Sequence, residues 1–525
     1  MNLIEKIITH AATGLKPPEV STGQFVSVQV DWILTSELLW GGMEKTYNQL
    51  KRPRPYRNDR IWLAVDHTVD PRTKDLPRQK GLIERSERFR DEAKIINYLP
   101  TNTSIMHTDF TREKAQPSTI VVGSDSHTCS AGSMGSLAVG FGAADVVMPL
   151  VTGQTWFRVP EVCRINFVGK PAYGITGKDV ILHVLGLFKR NTIAFQRPVE
   201  YGGPSLCELS MDARFAIANM TTEFGGMGAC FEADEIFEVD IKTKIATRSE
   251  RSIDLSMVAF TVAIHPNPDN VVPIDTTAGT LLDGCFIGAC TTTEEELILA
   301  ALVLDAGLRS GQVPTAKGKR RVTRGSLVII NRLDELGLLD AYRKAGFEIG
   351  APGCSYCVGI NDVDVAQEGE VWLSSQNRNF RNRMGKGSIG NVTSAAAVAA
   401  SSFTMRVTDP RPLLGLINEA DYTSLIRTYN TDIPGTVTIS EPEPRLASSP
   451  HLSKLGDGNG DSVRIARDQS PIVGKIQRLE DNVDTDAIIP AEFMAGVDNA
   501  DLGSHCFQYY RPDFRERANT GSTVI

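Results

Sequence analysis

The sequence has 525 residues, 41% of them hydrophobic and 22% charged, as in ordinary globular proteins, and this length predicts about three or four domains rather than one core. A formal net charge of −8 argues against a surface that coats nucleic acid, and no apolar run approaches the ~20 residues of a membrane helix. Nine cysteines in so long a chain do not predict a disulfide framework, which indicates a reducing compartment, the cytoplasm or the mitochondrial matrix.

The first part of the chain predicts helices alternating with strands. Residues 1–15 predict a helix rather than a signal or transit peptide, because acidic and basic side chains are mixed in it. Strands are predicted at 24–34, 61–65 and 118–122, and a helix rich in glycine and alanine at 131–144. Polar residues follow two of these strands, which is how open α/β sheets present chemistry.

The same alternation continues along the middle of the chain. A strand is predicted at 164–168, a helix at 177–189 and a further strand at 327–330. We find no internal repeat of solenoid length. The predicted fold class is therefore α/β.

Composition shifts near the C-terminus. Residues 436–471 contain Glu-Pro-Glu-Pro, Ser-Ser-Pro and Gly-Asp-Gly-Asn-Gly-Asp, which are typical of a linker. The unit after them is small for an independent domain, and its residues 522–525 resemble the start of a strand. We expect a core at 1–435, a linker at 436–471 and an incomplete domain at 472–525.

Three cysteines stand in sequences that favour turns. Cys354 and Cys357 form a Cys-x-x-Cys pair between glycines, and Cys290 stands in Gly-Ala-Cys-Thr. The threonines and glutamates of 291–296 predict a helix N-terminus beside Cys290, which favours its thiolate. Three thiolates around a cubane cluster leave one iron to act as a Lewis acid. The Cys-x-x-Cys pair alone also suits a zinc knuckle, a redox pair or two buried core thiols.

Two Asp/His pairs stand at predicted strand ends. Asp66 precedes His67, and Asp125 stands two residues before His127. A neighbouring carboxylate sets the protonation of an imidazole, as a general acid that protonates a leaving hydroxyl requires. The alternative is a histidine satisfied in a turn or at a helix cap. A nucleophilic Ser126 is disfavoured, because no nucleophile-elbow pattern surrounds it.

A third polar stretch contains the arginines Arg378, Arg381 and Arg383. Guanidinium groups at this density suit a bidentate clamp on a polycarboxylate. A solvated run of charge has the same composition and stays open as the alternative.

Five motifs in one order resemble the aconitase superfamily of iron–sulfur hydro-lyases, particularly the branch of 3-isopropylmalate dehydratase and homoaconitase. The motifs are Val65-Asp66-His67, Gly123-Ser124-Asp125-Ser126-His127-Thr128, Gly288-Ala289-Cys290-Thr291, Gly353-Cys354-Ser355-Tyr356-Cys357 and Ser375-Gln376-Asn377-Arg378-Asn379-Phe380. The resemblance covers nearly the whole chain. It implies a three-domain α/β core around an iron–sulfur cluster, followed by a partial swivel domain.

The resemblance also implies a role for each matching residue. Cys290, Cys354 and Cys357 would bind a [4Fe-4S] cluster whose fourth iron binds the substrate. The residues implied in acid/base chemistry, water handling and support of cluster and substrate are Asp66, His67, His107, Asp125, Ser126, His127, Asn219, Glu223, Asn377, Arg378 and Arg383. Together they would dehydrate and rehydrate a hydroxy acid, moving its hydroxyl to the adjacent carbon.

The C-terminal unit refines the implied substrate. Residues 481–490 resemble the opening of the swivel domain in the isopropylmalate and homoaconitate branch, in which relatives that handle a third carboxylate place an arginine shortly afterwards. This chain has Phe493-Met494-Ala495-Gly496 instead. Burying a carboxylate without an arginine is costly, whereas an alkyl or aryl group is accepted. We therefore expect a 2-substituted malate rather than citrate or homocitrate.

Two departures from the family bear on catalysis. The Gly-Ser-Ser-Arg loop, whose serine is the base in relatives, is missing from these 525 residues, and a positioned base contributes about 10²–10⁴-fold in rate. A partner chain resembling a small subunit, a sequence that continues further, or an impaired protein would each explain this. Near Leu38, relatives carry a substrate-contacting glutamine, which again indicates a divergent substrate.

The leading hypothesis is a hydro-lyase or isomerase of a 2-alkyl- or 2-arylmalate, in leucine-type biosynthesis or in a pathway that lengthens 2-oxo acids for a toxin or peptide precursor. Its expected partners are a small di- or tricarboxylate and a small-subunit chain, with no membrane and no nucleic acid. The alternatives are an aconitate or homoaconitate hydratase, an apo-form cluster sensor that binds RNA, and a pseudoenzyme.

Overall fold

A computed structural model describes residues 1–15, 19–232, 250–354, 357, 365–426, 475–479, 483, 485–490, 493, 503–520 and 522–524. Contacts divide the chain into two compact units, Met1–Pro442 and Glu443–Ile525. The predicted linker at 436–471 lies outside the described residues. None of the described helices has the length and apolar composition needed to cross a bilayer.

The strands of the described residues lie in both units. In chain order they are β1 (Ala12–Thr13), β2 (Phe25–Gln29), β3 (Trp32–Ser36), β4 (Ile61–Ala64), β5 (Asn97–Leu99), β6 (Ile120–Gly123), β7 (Leu137–Gly140), β8 (Gln154–Arg158), β9 (Cys163–Val168), β10 (Pro198–Gly202), β11 (Gly228–Phe231), β12 (Glu250–Asp254), β13 (Thr261–Ala263), β14 (Val271–Pro273), β15 (Gly284–Ile287), β16 (Lys319–Thr323), β17 (Glu348–Gly350), β18 (Val371–Ser374), β19 (Ile389–Val392), β20 (Lys475–Gln477) and β21 (Ser522–Val524).

The α-helices of the described residues connect these strands. They are α1 (Leu3–Ala11), α2 (Glu37–Gln49), α3 (Pro77–Ala93), α4 (Met106–Glu113), α5 (Ala143–Thr152), α6 (Gly177–Phe188), α7 (Met211–Asn219), α8 (Glu294–Arg309), α9 (Leu327–Glu335), α10 (Leu339–Lys344), α11 (Ala395–Ser402), α12 (Arg411–Leu414), α13 (Glu419–Leu425), α14 (Thr485–Ile488) and α15 (Phe514–Asn519).

Two large sheets form the framework of the first unit. Within the described residues, one sheet has nine strands in the order β12-β9-β10-β11-β7-β6-β3-β4-β5, and the other has seven in the order β14-β13-β19-β18-β15-β16-β17. The first is parallel except where β11 pairs with β7, and the second is parallel from β19 to β17. Helices α8 and α11 pack together in the apolar core beside the second sheet. The α/β fold class is confirmed.

Two predictions for the first third of the chain are wrong. The expected strand at 24–34 is divided into β2 and β3, which lie in different sheets; between them, the Asp31 carboxylate accepts the Ile120 N–H at 2.7 Å. The expected helix at 131–144 is a 3₁₀-helix, Ser126–Met134, followed by β7. A Cβ on Gly132 would lie 2.0 Å from the Ala229 carbonyl oxygen, so this segment packs directly against the backbone of β11.

The expected strand at 327–330 is also wrong, since it forms the first turn of α9. The Ser326 hydroxyl caps this helix by accepting the Ile329 N–H at 3.3 Å. Ile329 and Leu333 are buried one helical turn apart, whereas Leu327 and Val328 are exposed. An apolar run of four residues therefore belonged to a helix that buries only one face.

Other predicted elements are confirmed within a few residues of their bounds: the helices at 1–15 and 177–189, and the strands at 61–65, 118–122 and 164–168. In the second unit, the predicted C-terminal strand is β21, which pairs in parallel with β20.

The carboxyl ends of the parallel strands carry the polar motifs. Those that follow β3, β4 and β6 are Glu37, Asp66-His67 and Asp125, and those that follow β15, β17 and β18 are Cys290, Cys354 and Asn377. Parallel strands present the residues after their carboxyl ends at one edge of the sheet. Each sheet therefore contributes one set of these residues.

Candidate active site

All three cysteines of the predicted set are buried, and two of them contact one asparagine. Cys290, Cys354 and Cys357 are 7%, 9% and 4% exposed. The Asn377 side chain donates from Nδ2 to Cys290 Sγ at 3.3 Å and accepts from Cys357 Sγ at its Oδ1 at 3.2 Å. One amide therefore lies between sulfurs that are far apart in sequence.

The third cysteine joins the two sheets. The Cys354 N–H donates to the carbonyl oxygen of Asp66 at 2.8 Å. Potential ligand atoms of Cys354, Asp66 and His67 lie within 4.8 Å of one another. This hydrogen bond fixes the cysteine loop of the second sheet against the Asp/His pair of the first.

Two glycines allow these close approaches. At Gly353 the φ angle is +153°, and an added Cβ would lie 2.5 Å from Val69 Cγ2 and 3.1 Å from the Asp66 carbonyl oxygen. At Gly288 an added Cβ would lie 2.7 Å from the carbonyl oxygen of Thr323. Any side chain at these positions would push the cysteine loops away from their neighbours.

Asp66 holds the ring of His67 in one orientation. His67 Nδ1 lies 2.7 Å from Asp66 Oδ1, and Asp66 Oδ2 accepts the Met106 N–H at 2.7 Å. His67 Nε2 is left 3.8 Å from Asp125 Oδ2. Burial alone would lower the pKa of His67, but Cys354, Asp66 and Asp125 raise it well above its ordinary value. The structure therefore favours a protonated imidazole here.

The Glu37 side chain holds the backbone of the Asp66-His67 pair, a role that was not predicted from the sequence. Its buried carboxylate accepts the N–H groups of Asp66, His67 and Thr68 at 3.0, 2.9 and 2.6 Å. It also accepts the Thr68 hydroxyl at 3.1 Å. The available signal was an acidic residue directly after an apolar strand, beside Leu38, which is only partly buried.

Asp125 interacts with two further histidines, His107 and His127. His107 Nε2 and His127 Nδ1 lie 3.1 and 3.2 Å from Asp125 Oδ1, which also accepts the His127 N–H at 2.7 Å. Burial would raise the pKa of Asp125, but hydrogen bonds from His107, His127 and His67 lower it well below the usual range. Asp125 is therefore a carboxylate that orients several rings at once.

Glu223 and Arg378 close the other side of the site. Glu223 Oε1 lies 3.1 Å from His127 Nε2 and pairs with the Arg378 guanidinium, whose Nη2 donates to Ser126 Oγ at 2.7 Å. Burial would raise the pKa of Glu223, but Arg378 and His127 lower it to about 2. This chain of contacts holds a guanidinium beside the histidines.

The remaining predicted residues lie at the cysteines. Asn219 Nδ2 donates to Cys290 Sγ at 3.2 Å and to Ser130 Oγ at 2.9 Å. The Arg383 guanidinium lies 3.9 Å from Cys357 Sγ. Arg381 is exposed, so only two arginines of the expected clamp are at the site. Apart from Arg381, the structure thus brings together the residues that the sequence singled out for this chemistry, and their individual functions stay predictions.

The helix N-terminus beside Cys290 was expected to favour its thiolate, but burial outweighs this effect. Helix α8 is capped by Thr293, and burial together with Cys357 and Cys354 raises the pKa of Cys290 well above its usual value. Burial also raises the pKa of Cys354 to about 12. Three buried cysteines, two of them with raised thiol pKa values, fit the donor set of a metal centre, because a bound metal ion would stabilise them as thiolates.

Comparison with known proteins shows the class to which this fold and site belong. The model of the "Aconitase family (aconitate hydratase)" matches residues 57–244 and 275–404, and the chain belongs to this family.

Several known proteins are similar in sequence to most or all of this chain. "Aconitase htyD" of Aspergillus rugulosus is 46% identical and "3-isopropylmalate dehydratase large subunit gloJ" of Glarea lozoyensis 41% identical, each over 100% of this chain and 65% of the relative. The "3-isopropylmalate dehydratase large subunit" of Acetivibrio thermocellus is 30% identical over 79% of this chain and 100% of its own length. The chain therefore spans about two thirds of the first two relatives.

Proposed function

We propose that the protein is an iron–sulfur hydro-lyase or isomerase that dehydrates and rehydrates a 2-substituted malate. In this proposal Cys290, Cys354 and Cys357 hold a [4Fe-4S] cluster. The observation that carries it is the meeting of three buried cysteines with two Asp/His pairs at the facing edges of two α/β sheets. Membership of the aconitase family and the names of its relatives support the reaction class.

When bound, the cluster would supply a Lewis-acidic iron for the hydroxyl and a carboxylate of the substrate. The chain's own contribution is to prepare the sulfurs. Asn219 and Asn377 donate amide hydrogens to Cys290 Sγ at 3.2 and 3.3 Å. Hydrogen bonds to a ligating sulfur stabilise its negative charge and fix its direction.

His67 is the proposed proton donor to the leaving hydroxyl. Asp66 occupies its Nδ1, so the transferable proton is the one on Nε2. Because Asp66 is itself fixed by the Met106 N–H, the ring keeps its orientation while it loses and regains the proton. Asp125, with His107 and His127, would hold the water molecule that leaves and returns.

Arg378 and Arg383 are the proposed contacts for substrate carboxylates. Glu223 and Ser126 hold the Arg378 side chain, which leaves less side-chain entropy to be lost when the substrate binds. Arg383 is buried at 9% exposure beside Cys357. Planar guanidinium groups recognise carboxylates through paired N–H donors.

The proposed base of the reaction belongs to a part of the swivel domain other than residues 472–525. The 525 residues contain no Gly-Ser-Ser-Arg sequence. A relative that this chain covers over its full length is named a large subunit. We propose that a small-subunit chain, or a further part of a longer chain, supplies the base.

The choice of a 2-alkyl- or 2-arylmalate rests on Phe493-Met494-Ala495-Gly496. In the second unit, Phe493 stacks on His505 with ring centroids 3.7 Å apart. Met494, Ala495 and Gly496 lie outside the described residues. An apolar segment without arginine would accept an alkyl or aryl substituent and reject a third carboxylate.

The test is anaerobic reconstitution followed by measurement of iron and sulfide per chain and of turnover. 2-Isopropylmalate and aryl analogues are followed at the absorbance of the unsaturated acid, with a small-subunit partner added. We expect about four irons per chain for the intact cluster. Cys354→Ser should lose the cubane EPR or Mössbauer signal and its turnover.

The matched control is Cys285→Ala. Cys285 is fully buried on β15, the strand that leads to Cys290, and its sulfur contacts Met405. This variant should keep the iron and the turnover. A wild-type protein without a cubane signal, or Cys354→Ser with unchanged iron and turnover, would overturn the proposal.

A further inference from the structure

Lys178 is a fully buried lysine that reaches from one sheet to the other. It lies in the first turn of α6, which follows β9 of the nine-stranded sheet, and its exposed fraction is 0%. Its Nζ donates to the carbonyl oxygens of Ser375 and Gln376 at 2.8 and 3.1 Å. These carbonyls follow β18 of the second sheet.

The backbone that Lys178 holds leads directly into the candidate site. Asn377, which contacts the sulfurs of Cys290 and Cys357, is the residue after Gln376, and Arg378 comes next. A displacement of the Ser375 and Gln376 carbonyls would therefore move the Asn377 amide beside the cysteines. It would also move the Arg378 guanidinium beside the histidines.

The same backbone is connected to the loop of Cys290. Thr292 Oγ1 donates to the Ser375 carbonyl oxygen at 3.0 Å, and the Gly288 N–H donates to Ser375 Oγ at 3.0 Å. Lys178 and Thr292 thus share one acceptor. The lysine is part of a continuous hydrogen-bonded network that ends at a cysteine loop.

The charge of Lys178 is balanced by groups of the site. Burial lowers its pKa to about 8, while Glu296, Cys290, Glu223 and Cys357 act in the opposite direction. A buried ammonium is costly unless acceptors and opposite charges surround it. Two carbonyl oxygens and the carboxyl groups of Glu296 and Glu223 provide that surrounding, and the sulfurs would strengthen it once they are thiolates in a metal centre.

We propose that Lys178 is a positioning residue for the reaction: it fixes the backbone that carries Asn377 and Arg378 and supplies buried positive charge to the cysteine sulfurs. This inference rests on the proposed function, because it assigns the charge a partner in a cluster held by those sulfurs. A positive charge near a redox centre stabilises the added electron, so it raises the reduction potential.

The experiment compares Lys178→Met and Lys178→Gln with wild type after anaerobic reconstitution of the full chain. Glutamine retains an N–H donor for the carbonyls but no charge. Both variants should reduce the equilibrium constant for cluster reduction about tenfold, which is ~59 mV towards negative potential for one electron. Turnover should fall about 10–100-fold in Lys178→Met and less in Lys178→Gln, with a smaller change in KM.

The matched control is Arg320→Met. Arg320 is also buried and donates to the backbone carbonyls of Ser402 at 2.9 Å and Thr315 at 2.8 Å. It lies near the amino end of β16, whereas the candidate site lies at the carboxyl ends of the strands. Its loss should lower stability and leave the potential unchanged.

The outcomes separate this inference from the function on which it rests. Wild-type potential and turnover in both Lys178 variants, with a cluster in wild type, would overturn the inference alone. A wild-type chain without any cluster overturns both. A cluster that turns over no malate but shifts its potential in both variants supports the lysine's charge and contradicts the substrate.

Discussion

Replacing Glu37 with glutamine tests whether a buried carboxylate holds the Asp66-His67 pair in place. Oε1 of Glu37 accepts the His67 N–H at 2.9 Å, the Thr68 N–H at 2.6 Å and the Thr68 hydroxyl at 3.1 Å, while Oε2 accepts the Asp66 N–H at 3.0 Å. Glutamine has the same shape but only one carbonyl oxygen. Its amide nitrogen is a donor and must face at least one backbone N–H.

The smallest possible loss occurs when the amide nitrogen replaces Oε2. One hydrogen bond to a charged group is then removed, at about 1.5–3 kcal/mol, and the Asp66 N–H is left buried without an acceptor. The opposite orientation loses three bonds. We therefore expect Glu37→Gln to lower the free energy of unfolding by at least about 2 kcal/mol. A displaced His67 should also reduce turnover about 10–100-fold.

The assay is urea unfolding followed by circular dichroism, together with turnover of the reconstituted protein. Glu44→Gln is the control on the same helix, since Glu44 is buried and pairs with Arg52 at 3.1 Å and Arg85 at 2.7 Å, away from the histidines. It should lower stability and leave turnover per cluster unchanged. Equal turnover in Glu37→Gln and Glu44→Gln, or an unchanged unfolding midpoint in Glu37→Gln, would refute the reasoning.

Two further predictions follow from buried groups near the site. Burial raises the pKa of Glu295 from 4.5 to about 7, so its contribution to stability is complete below pH 4.5 and falls by about 3 kcal/mol as pH rises through 7. Glu296 and Asp179 also have raised pKa values, so urea unfolding at pH 5 and pH 8 should show a loss in both proteins that is larger by roughly this amount in wild type than in Glu295→Gln; an identical loss in both contradicts the prediction. Gly353→Ala should lower reconstituted iron, because its Cβ would meet Val69 Cγ2 at 2.5 Å, and Val69→Ala should restore part of it. Full iron in Gly353→Ala alone would show that the loop tolerates the clash.

The residues of the candidate site were largely accessible from the sequence, because short motifs carried them. Asp66 and His67 are adjacent, and Cys354 and Cys357 are two residues apart, so each local pair was visible in one stretch. The alternation of strands and helices also gave the α/β class. A strand at 327–330 was not a safe prediction, because four apolar residues suit either element and the Ser326 cap decides for a helix.

Only the tertiary structure revealed the two buried charges that hold these motifs. Glu37 and Lys178 stand in stretches without any motif, and their partners are about 30 and 197 residues away along the chain. A sequence pattern records spacing along the chain, whereas a buried carboxylate or ammonium is defined by the acceptors and donors that folding brings to it. The sequence by itself determined which side chains could do the chemistry. The meeting of two sheet edges decided which backbone they are fixed to and which charges surround them.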